Sequence, residues 1–227
     1  MQNIKDRFDA SKKVLFAITK LREETVGMLE PMSFLIAAQF GRDPLLILVS
    51  CILSSRTRDP ITYQASLRLF EHAQTAQELL DLPLQKIESS IYPVGFYRQK
   101  SSALKKLASQ LLEQFSGKVP DTFEQLVLLS GVGPKTANLV LGVGFGIPAL
   151  CVDIHVHRIA NRLGIVTTSS PVETERELKK IIPKDYWIEF NRLLVMWGQN
   201  VCVPVSPKCS VCAIASVCSR KGVLKNR

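Results

Sequence analysis

Four cysteines, Cys202, Cys209, Cys212 and Cys218, fall within seventeen residues and are separated by six, two and five positions. No other stretch constrains the fold so tightly. Thiolates are soft ligands, and four in one short loop can surround a single metal centre that holds the loop together. Zinc sites usually present two close pairs, whereas here only Cys209 and Cys212 are close. A cubane iron–sulfur cluster is wider than one ion and suits four thiolates spread round a loop. The spacing leaves both metals open.

Disulfides are the third use of cysteine, and they belong to oxidising compartments. The chain carries no signal for one. Its longest uncharged apolar stretch, residues 139–152, is interrupted by Gly142, Gly144, Gly146 and Pro148 and is too short for a membrane span. The amino terminus alternates Lys5, Asp6, Arg7, Asp9, Lys12 and Lys13 without an apolar signal-peptide region. The expected address is the cytoplasm, with no membrane partner. Cys51 and Cys151 each sit inside an apolar run and read as small buried hydrophobes.

Helical signals dominate the rest of the 227 residues. Val14, Leu15, Ile18 and Leu21 recur at helical spacing, as do Leu104, Leu107, Leu111 and Phe115. Asp43-Pro44 and Asp59-Pro60 place a cap residue before a first-turn proline. Thr75 with Glu78, Asp121 with Glu124 and Ser170 with Glu173 have capping-box spacing. Gly117 and Gly164 mark stops. Residues 45–53 form an apolar run that follows a helix start and reads as a buried helix. The expected class is all-α.

The charge balance, 29 Lys and Arg against 20 Asp and Glu, gives +9 and points to a polyanionic partner. Two segments concentrate it. Residues 94–118 hold Arg98, Lys100, Lys105, Lys106 and Lys118 against Glu113 alone, and the chain after residue 200 holds Lys208, Arg220, Lys221, Lys225 and Arg227 with no acid. Beside the motif that follows, they favour phosphate binding.

That motif is Leu129-Ser130-Gly131-Val132-Gly133-Pro134-Lys135-Thr136-Ala137. A helix is expected from Asp121 to about Leu129, then a tight reversal permitted by the two glycines, then a second helix opened by Pro134. The outward-facing glycine N–H groups suit a phosphate, directly or through a cation. Lys135 falls in the first turn of the new helix, where the helix field disfavours a cation. That field would move its pKa from about 10.4 towards the roughly 7–8 useful for an amine nucleophile. Eighteen residues on, Val152-Asp153-Ile154-His155-Val156-His157-Arg158 places Asp153 as the cap of another helix and as a carboxylate partner for the lysine. His155 and His157 are two apart, off a common helix face, and do not read as a metal pair.

The glycine hairpin with Lys135, the Asp153 segment and the 6-2-5 cysteine loop, in that order, resemble the endonuclease III family of helix–hairpin–helix DNA glycosylases over nearly the whole chain. The resemblance implies a two-lobed all-α fold with DNA bound between the lobes. A six-helix barrel lobe would span residues 36–147, with the helix–hairpin–helix at about 121–144. Residues 1–35 and 148–227 would form the iron–sulfur cluster lobe, with a [4Fe-4S] cluster on the 202–218 loop. It further implies a bifunctional glycosylase and abasic-site lyase of base excision repair. Such an enzyme excises oxidised pyrimidines from double-stranded DNA and cleaves 3′ to the abasic site by β-elimination. Lys135 and Asp153 would be catalytic. Ser130, Gly131, Val132, Gly133, Arg56, Phe96, His155 and Lys208 would contact DNA, and Cys202, Cys209, Cys212 and Cys218 would hold the cluster. A monomer associated with the nucleoid is expected.

Three positions depart from the family's pattern. Arg56 stands where familiar members have a glutamine that fills the hole left by a flipped base, Pro134 replaces a commonly basic residue, and Ser130 replaces a common proline. Two other functions fit part of these features: an adenine-mismatch glycosylase, whose members lack the lysine, and a non-catalytic DNA-binding module with a structural metal. An electron carrier would use the cluster and have no need of Lys135.

Overall fold

The computed structural model describes residues 4–227, with side chains from residue 9 onward. The charged positions Lys5, Asp6 and Arg7 of the amino-terminal reading therefore lie outside the described side chains. Every regular element among the described residues is helical. The chain divides into two compact units, Pro31–Ile147 and a discontinuous one of Met1–Glu30 with Pro148–Arg227.

The continuous unit is built round α3 (Pro44–Ser54), in which all residues from Leu45 to Leu53 are buried. A helix apolar on every side must be enclosed, and α3 touches α2 (Met32–Phe40), α4 (Asp59–Phe70), α7 (Tyr97–Phe115), α9 (Pro134–Leu139) and a π-helical turn at Val140–Phe145. Its start is set locally: Asp43 Oδ1 accepts from Leu45 N at 2.8 Å and Leu46 N at 3.1 Å ahead of Pro44. The remaining helices are α5 (Ala76–Asp81), α6 (Leu84–Ile91) and the short α8 (Phe123–Leu126). The capping box at α5 is complete, with Thr75 and Glu78 each bonding the other's backbone N–H. Helix α7 turns Leu104, Leu107 and Leu111 into the core, as its periodicity predicts.

The discontinuous unit packs α1 (Ile4–Glu24) and α10 (Ile154–Leu163) against α12 (Trp187–Asn200), with α11 (Pro171–Leu178) on α10. Val14, Ile18 and Leu21 of α1 share one core with Val156, Ile159, Phe190, Leu194 and Trp197. Arg22 donates two bonds of 2.7 Å to Glu189, and Arg192 forks onto Glu30, so α12 holds the end of α1 and the segment that follows it. Cys202, Cys212 and Cys218 rest partly buried on the same core.

Several local expectations shift. Leu15 is 43% exposed, because positions 14 and 15 both satisfy the helical spacing and only one can face inward. Thr122 rather than Asp121 precedes α8, and the helix covers four residues before passing into turns. Arg58 occupies the cap position of α4, leaving Asp59 as its first helical residue. Ser170 accepts from Glu173 N, but the Glu173 carboxylate bonds Ser169 instead of closing the box. Two lysines of the 94–118 basic segment also turn inward: Lys105 donates to the Leu80 carbonyl, and Lys100 is only 8% exposed.

Candidate functional site

The hairpin begins where α8 unwinds. Val132 N closes the turn on Leu129 O at 3.1 Å, and Gly131 sits at φ 80°, a left-handed backbone that glycine adopts without strain. Val132 is buried, anchoring the tip from below, while Gly131 and Gly133 are exposed. Within the described residues the N–H groups of these two glycines make no hydrogen bond, which leaves a pair of donors for a phosphate oxygen. Ser130 differs: its N–H already donates to Gln110 Oε1 at 2.8 Å. Lys135 is exposed on the first turn of α9, directly behind this pair. Its charge reaches the buried Cys51, whose thiol is pushed up to about 12 by burial, with Lys135 acting in the opposite direction. Cys51 and Cys151, 4% and 2% exposed, are the small buried hydrophobes expected of them.

Asp153, half-buried, caps α10 through one oxygen: Oδ1 accepts from His155 N and Val156 N, both at 2.9 Å. The second oxygen takes no part in the cap. His155 lies flat against α12, close enough that a Cβ on Gly198 would fall 2.6 Å from its Nδ1. That nitrogen pairs with Arg158 Nη2 at 3.1 Å, which assigns the proton to Nε2. His157 instead meets Thr174 Oγ1 at 2.6 Å, so the two histidines serve separate contacts.

Arg56 and Phe96, forty residues apart, are brought together. Both are exposed, both adopt left-handed backbone (φ 54° and 59°), and the guanidinium carbon lies 5.4 Å from the ring centre. The sequence carries no local sign of this pairing.

All four cysteines of the 202–218 loop line one pocket, floored by Trp197 and Ile214 and rimmed by Arg162. Among the described residues no three Cys, His, Asp or Glu side chains converge tightly enough to ligate a single ion. The sulfurs instead stand round the pocket. Burial raises the Cys212 and Cys218 thiols, and the other cysteines add to the shift, as sulfurs within electrostatic reach of one another must. Donors face them. Arg162 Nη1 lies 3.4 Å from Cys202 Sγ, and Arg220 N lies 3.4 Å from Cys218 Sγ. The buried Trp197 indole N–H has no acceptor of hydrogen-bond geometry and faces Cys212, whose ionised form it favours. A pocket ringed by four thiols, with N–H donors turned towards the sulfurs, fits an anionic iron–sulfur cluster. Arg162 and Trp197 escaped the sequence reading because arginine and tryptophan are not metal ligands. Lys208 is exposed at the pocket's edge.

Helices joined by a glycine hairpin, with a lysine behind it, define a class. The model for HhH-GPD superfamily base excision DNA repair protein matches residues 49–184, and the chain belongs to that superfamily. It is 43% identical to endonuclease III of Thermotoga maritima over 210 residues, covering 88% of this chain and 99% of that one. Its fold matches a structure of a non-covalent endonuclease III–DNA complex with TM-score 0.82 and 30% identity, over 92% of this chain and 95% of the other. A structure of a trapped endonuclease III–DNA covalent intermediate, an estranged-adenine complex, matches at TM-score 0.80 and 30% identity, over 92% and 96%. Within the superfamily the chain is of the endonuclease III family, a bifunctional DNA glycosylase and abasic-site lyase of base excision repair. Among the described residues no helix is long and apolar enough to cross a membrane.

Proposed function

We propose that the enzyme excises damaged pyrimidines from double-stranded DNA, with Lys135 as nucleophile and Asp153 as the catalytic carboxylate. The observation that carries the reading is an exposed lysine one residue beyond Pro134, behind two glycine N–H groups with no partner of their own. Phosphate held on Gly131 and Gly133 brings the sugar of the same nucleotide to the amine. The covalent intermediate trapped in the related endonuclease III supports an amine route. The reaction follows from the groups named. A target base is rotated out of the stack, because its glycosidic bond cannot be reached inside the duplex. The unprotonated Lys135 amine attacks C1′, the bond to the base breaks with its electron pair, and the departing base takes up a proton. The attached nitrogen then loses a proton, O4′ gains one, and the C1′–O4′ bond opens as C1′ and the nitrogen become doubly bonded. Asp153 offsets the positive charge that gathers on the sugar. The resulting iminium acidifies the C2′ proton, whose removal expels the 3′ phosphate oxygen, and water then releases Lys135.

The four cysteines fit a [4Fe-4S] cluster, and Cys202, Cys209, Cys212 and Cys218 would hold it. When bound it supplies four covalent ties that close the 202–218 loop. Arg56, Phe96, His155, Lys208 and the 130–133 hairpin contact the DNA in this reading, and the enzyme acts as a monomer on the nucleoid.

Borohydride reduction in the presence of an abasic-site duplex tests the assignment. The wild-type chain is expected to become covalently attached to DNA. Lys135→Ala should give no adduct while keeping nearly the same affinity for undamaged duplex, since one phosphate-facing cation among many changes the salt slope by at most about one. Normal trapping by Lys135→Ala would assign the nucleophile to another amine.

A further inference from the structure

Among the described residues, Lys100 is a buried cation with no carboxylate in ion-pair reach. Its Nζ donates to Leu53 O at 2.7 Å, Ser55 O at 2.6 Å and Thr57 Oγ1 at 3.3 Å, so all three of its donors are engaged. These acceptors alternate along the chain on either side of Arg56. Thr57 Oγ1 also accepts from Gly95 N at 3.1 Å, the residue before Phe96. The two turns meet so closely that a Cβ on Gly95 would lie 2.9 Å from Arg56 O. One ammonium group thereby joins the end of α3, the Arg56 turn and the Phe96 turn.

We propose that Lys100 is a positioning residue for the repair reaction: by tying Leu53, Ser55 and Thr57 together, and through Thr57 the Gly95 turn, it holds Arg56 and Phe96 as one preassembled wedge for the space that a flipped nucleotide leaves. The inference rests on the reading that Arg56 and Phe96 face DNA. Burial alone pulls the Lys100 pKa down to about 8, with no neighbouring charge contributing, so the site holds an ammonium without a counter-ion. A methionine would fill the same space without that desolvation. What the lysine adds is the bonding pattern, which fixes two residues in left-handed backbone before DNA arrives. A wedge ordered in advance loses less freedom on insertion than one ordered by it.

The test is a double-mutant cycle on the full chain, read by single-turnover borohydride trapping on an abasic-site duplex. A second readout is the fluorescence of 2-aminopurine placed opposite a tetrahydrofuran lesion, a report of whether the gap is filled. Phe96→Ala is expected to slow trapping roughly tenfold in the wild-type background. Lys100→Met should slow it by a similar factor and weaken the fluorescence change. In the Lys100→Met background, Phe96→Ala should then add less than about twofold. A lysine that only stabilised the fold would leave the effect of Phe96→Ala at full size in both backgrounds, and that result overturns the proposal. Should Lys100→Met fail to fold, Thr57→Val replaces it, with the same expected loss of additivity and the same overturning result. If Phe96→Ala has no effect in the wild-type background, the reading of Phe96 as a DNA wedge fails and takes the proposal with it. This outcome is distinct from full-size effects in both.

Discussion

In the proposed reaction Asp153 divides its carboxylate between structure and chemistry. Oδ1 holds the first turn of α10, and an asparagine in its place keeps an oxygen acceptor there while removing the charge. Asp153→Asn should therefore melt close to wild type but lose most base excision, retaining cleavage at pre-formed abasic sites, where no base has to leave. Asp153→Ala should lose the cap as well, at about 1 kcal/mol, or about 2–4 °C in Tm for a chain of this size. Thermal melts beside single-turnover excision separate the two effects. Arg56 poses a question of specificity. Guanidinium offers donors only, and guanine's O6 and N7 accept from its fork, a pairing that contributes about 1–3 kcal/mol of discrimination. Arg56→Gln should narrow the preference for guanine over adenine opposite the lesion, measured as a ratio of excision rates. A uniform loss of affinity that vanishes in high salt would place Arg56 on the phosphate backbone. Lys100 makes a pH prediction. Its pKa falls from 10.5 to about 8 on folding, so between those values the unfolded chain holds the extra proton and stability rises with pH. The stability of wild type relative to Lys100→Met should increase from pH 8 to 10 in denaturant titrations.

At the scale of elements, the 202–218 loop has only two short 3₁₀ turns, Cys209–Val211 and Ala215–Val217, and few buried side chains of its own. In the proposed reading its position depends on the cluster held in the pocket above Trp197. Purified protein should be brown with broad visible absorption, and Cys212→Ser should lose the colour and much of the soluble yield, because metal ligation contributes directly to folding. A colourless, fully active protein carrying stoichiometric zinc would refute the cluster. The element scale is also where the sequence was most readable. Asp43, Thr75 and Gly164 act within four residues of themselves, and each does in the structure what its spacing predicts. Asp121 does not cap: Thr122 stands at the N-cap of α8, and its hydroxyl donates to Gln125 Oε1 rather than accepting a backbone N–H.

Over the whole molecule, legibility falls with distance along the chain. The hairpin, Lys135, Asp153 and the four cysteines are contiguous patterns. The Arg56–Phe96 contact depends on two left-handed residues in separate turns, and no periodicity records it. Lys100 lies between. Among the basic residues of 94–118 it reads as part of a phosphate-binding charge, yet positions 100, 104, 107 and 111 follow one helical face, and Leu104, Leu107 and Leu111 are wholly buried. The phase of the helix carried the signal that composition concealed.

The unit that bears the cysteine loop is assembled from two separated stretches of sequence, with Pro31–Ile147 intervening in the chain. On the ribosome, α1 therefore emerges well before its partners, with the whole of the other unit made in between. Its stripe of Val14, Ile18 and Leu21 stays uncovered until α10 and α12 have been made, while the intervening unit already has its full sequence. A nascent chain halted before α12 should carry a finished Pro31–Ile147 unit and a sticky α1, and so recruit chaperones through that helix. Burial of α1 thus reports that translation has nearly reached the cysteines.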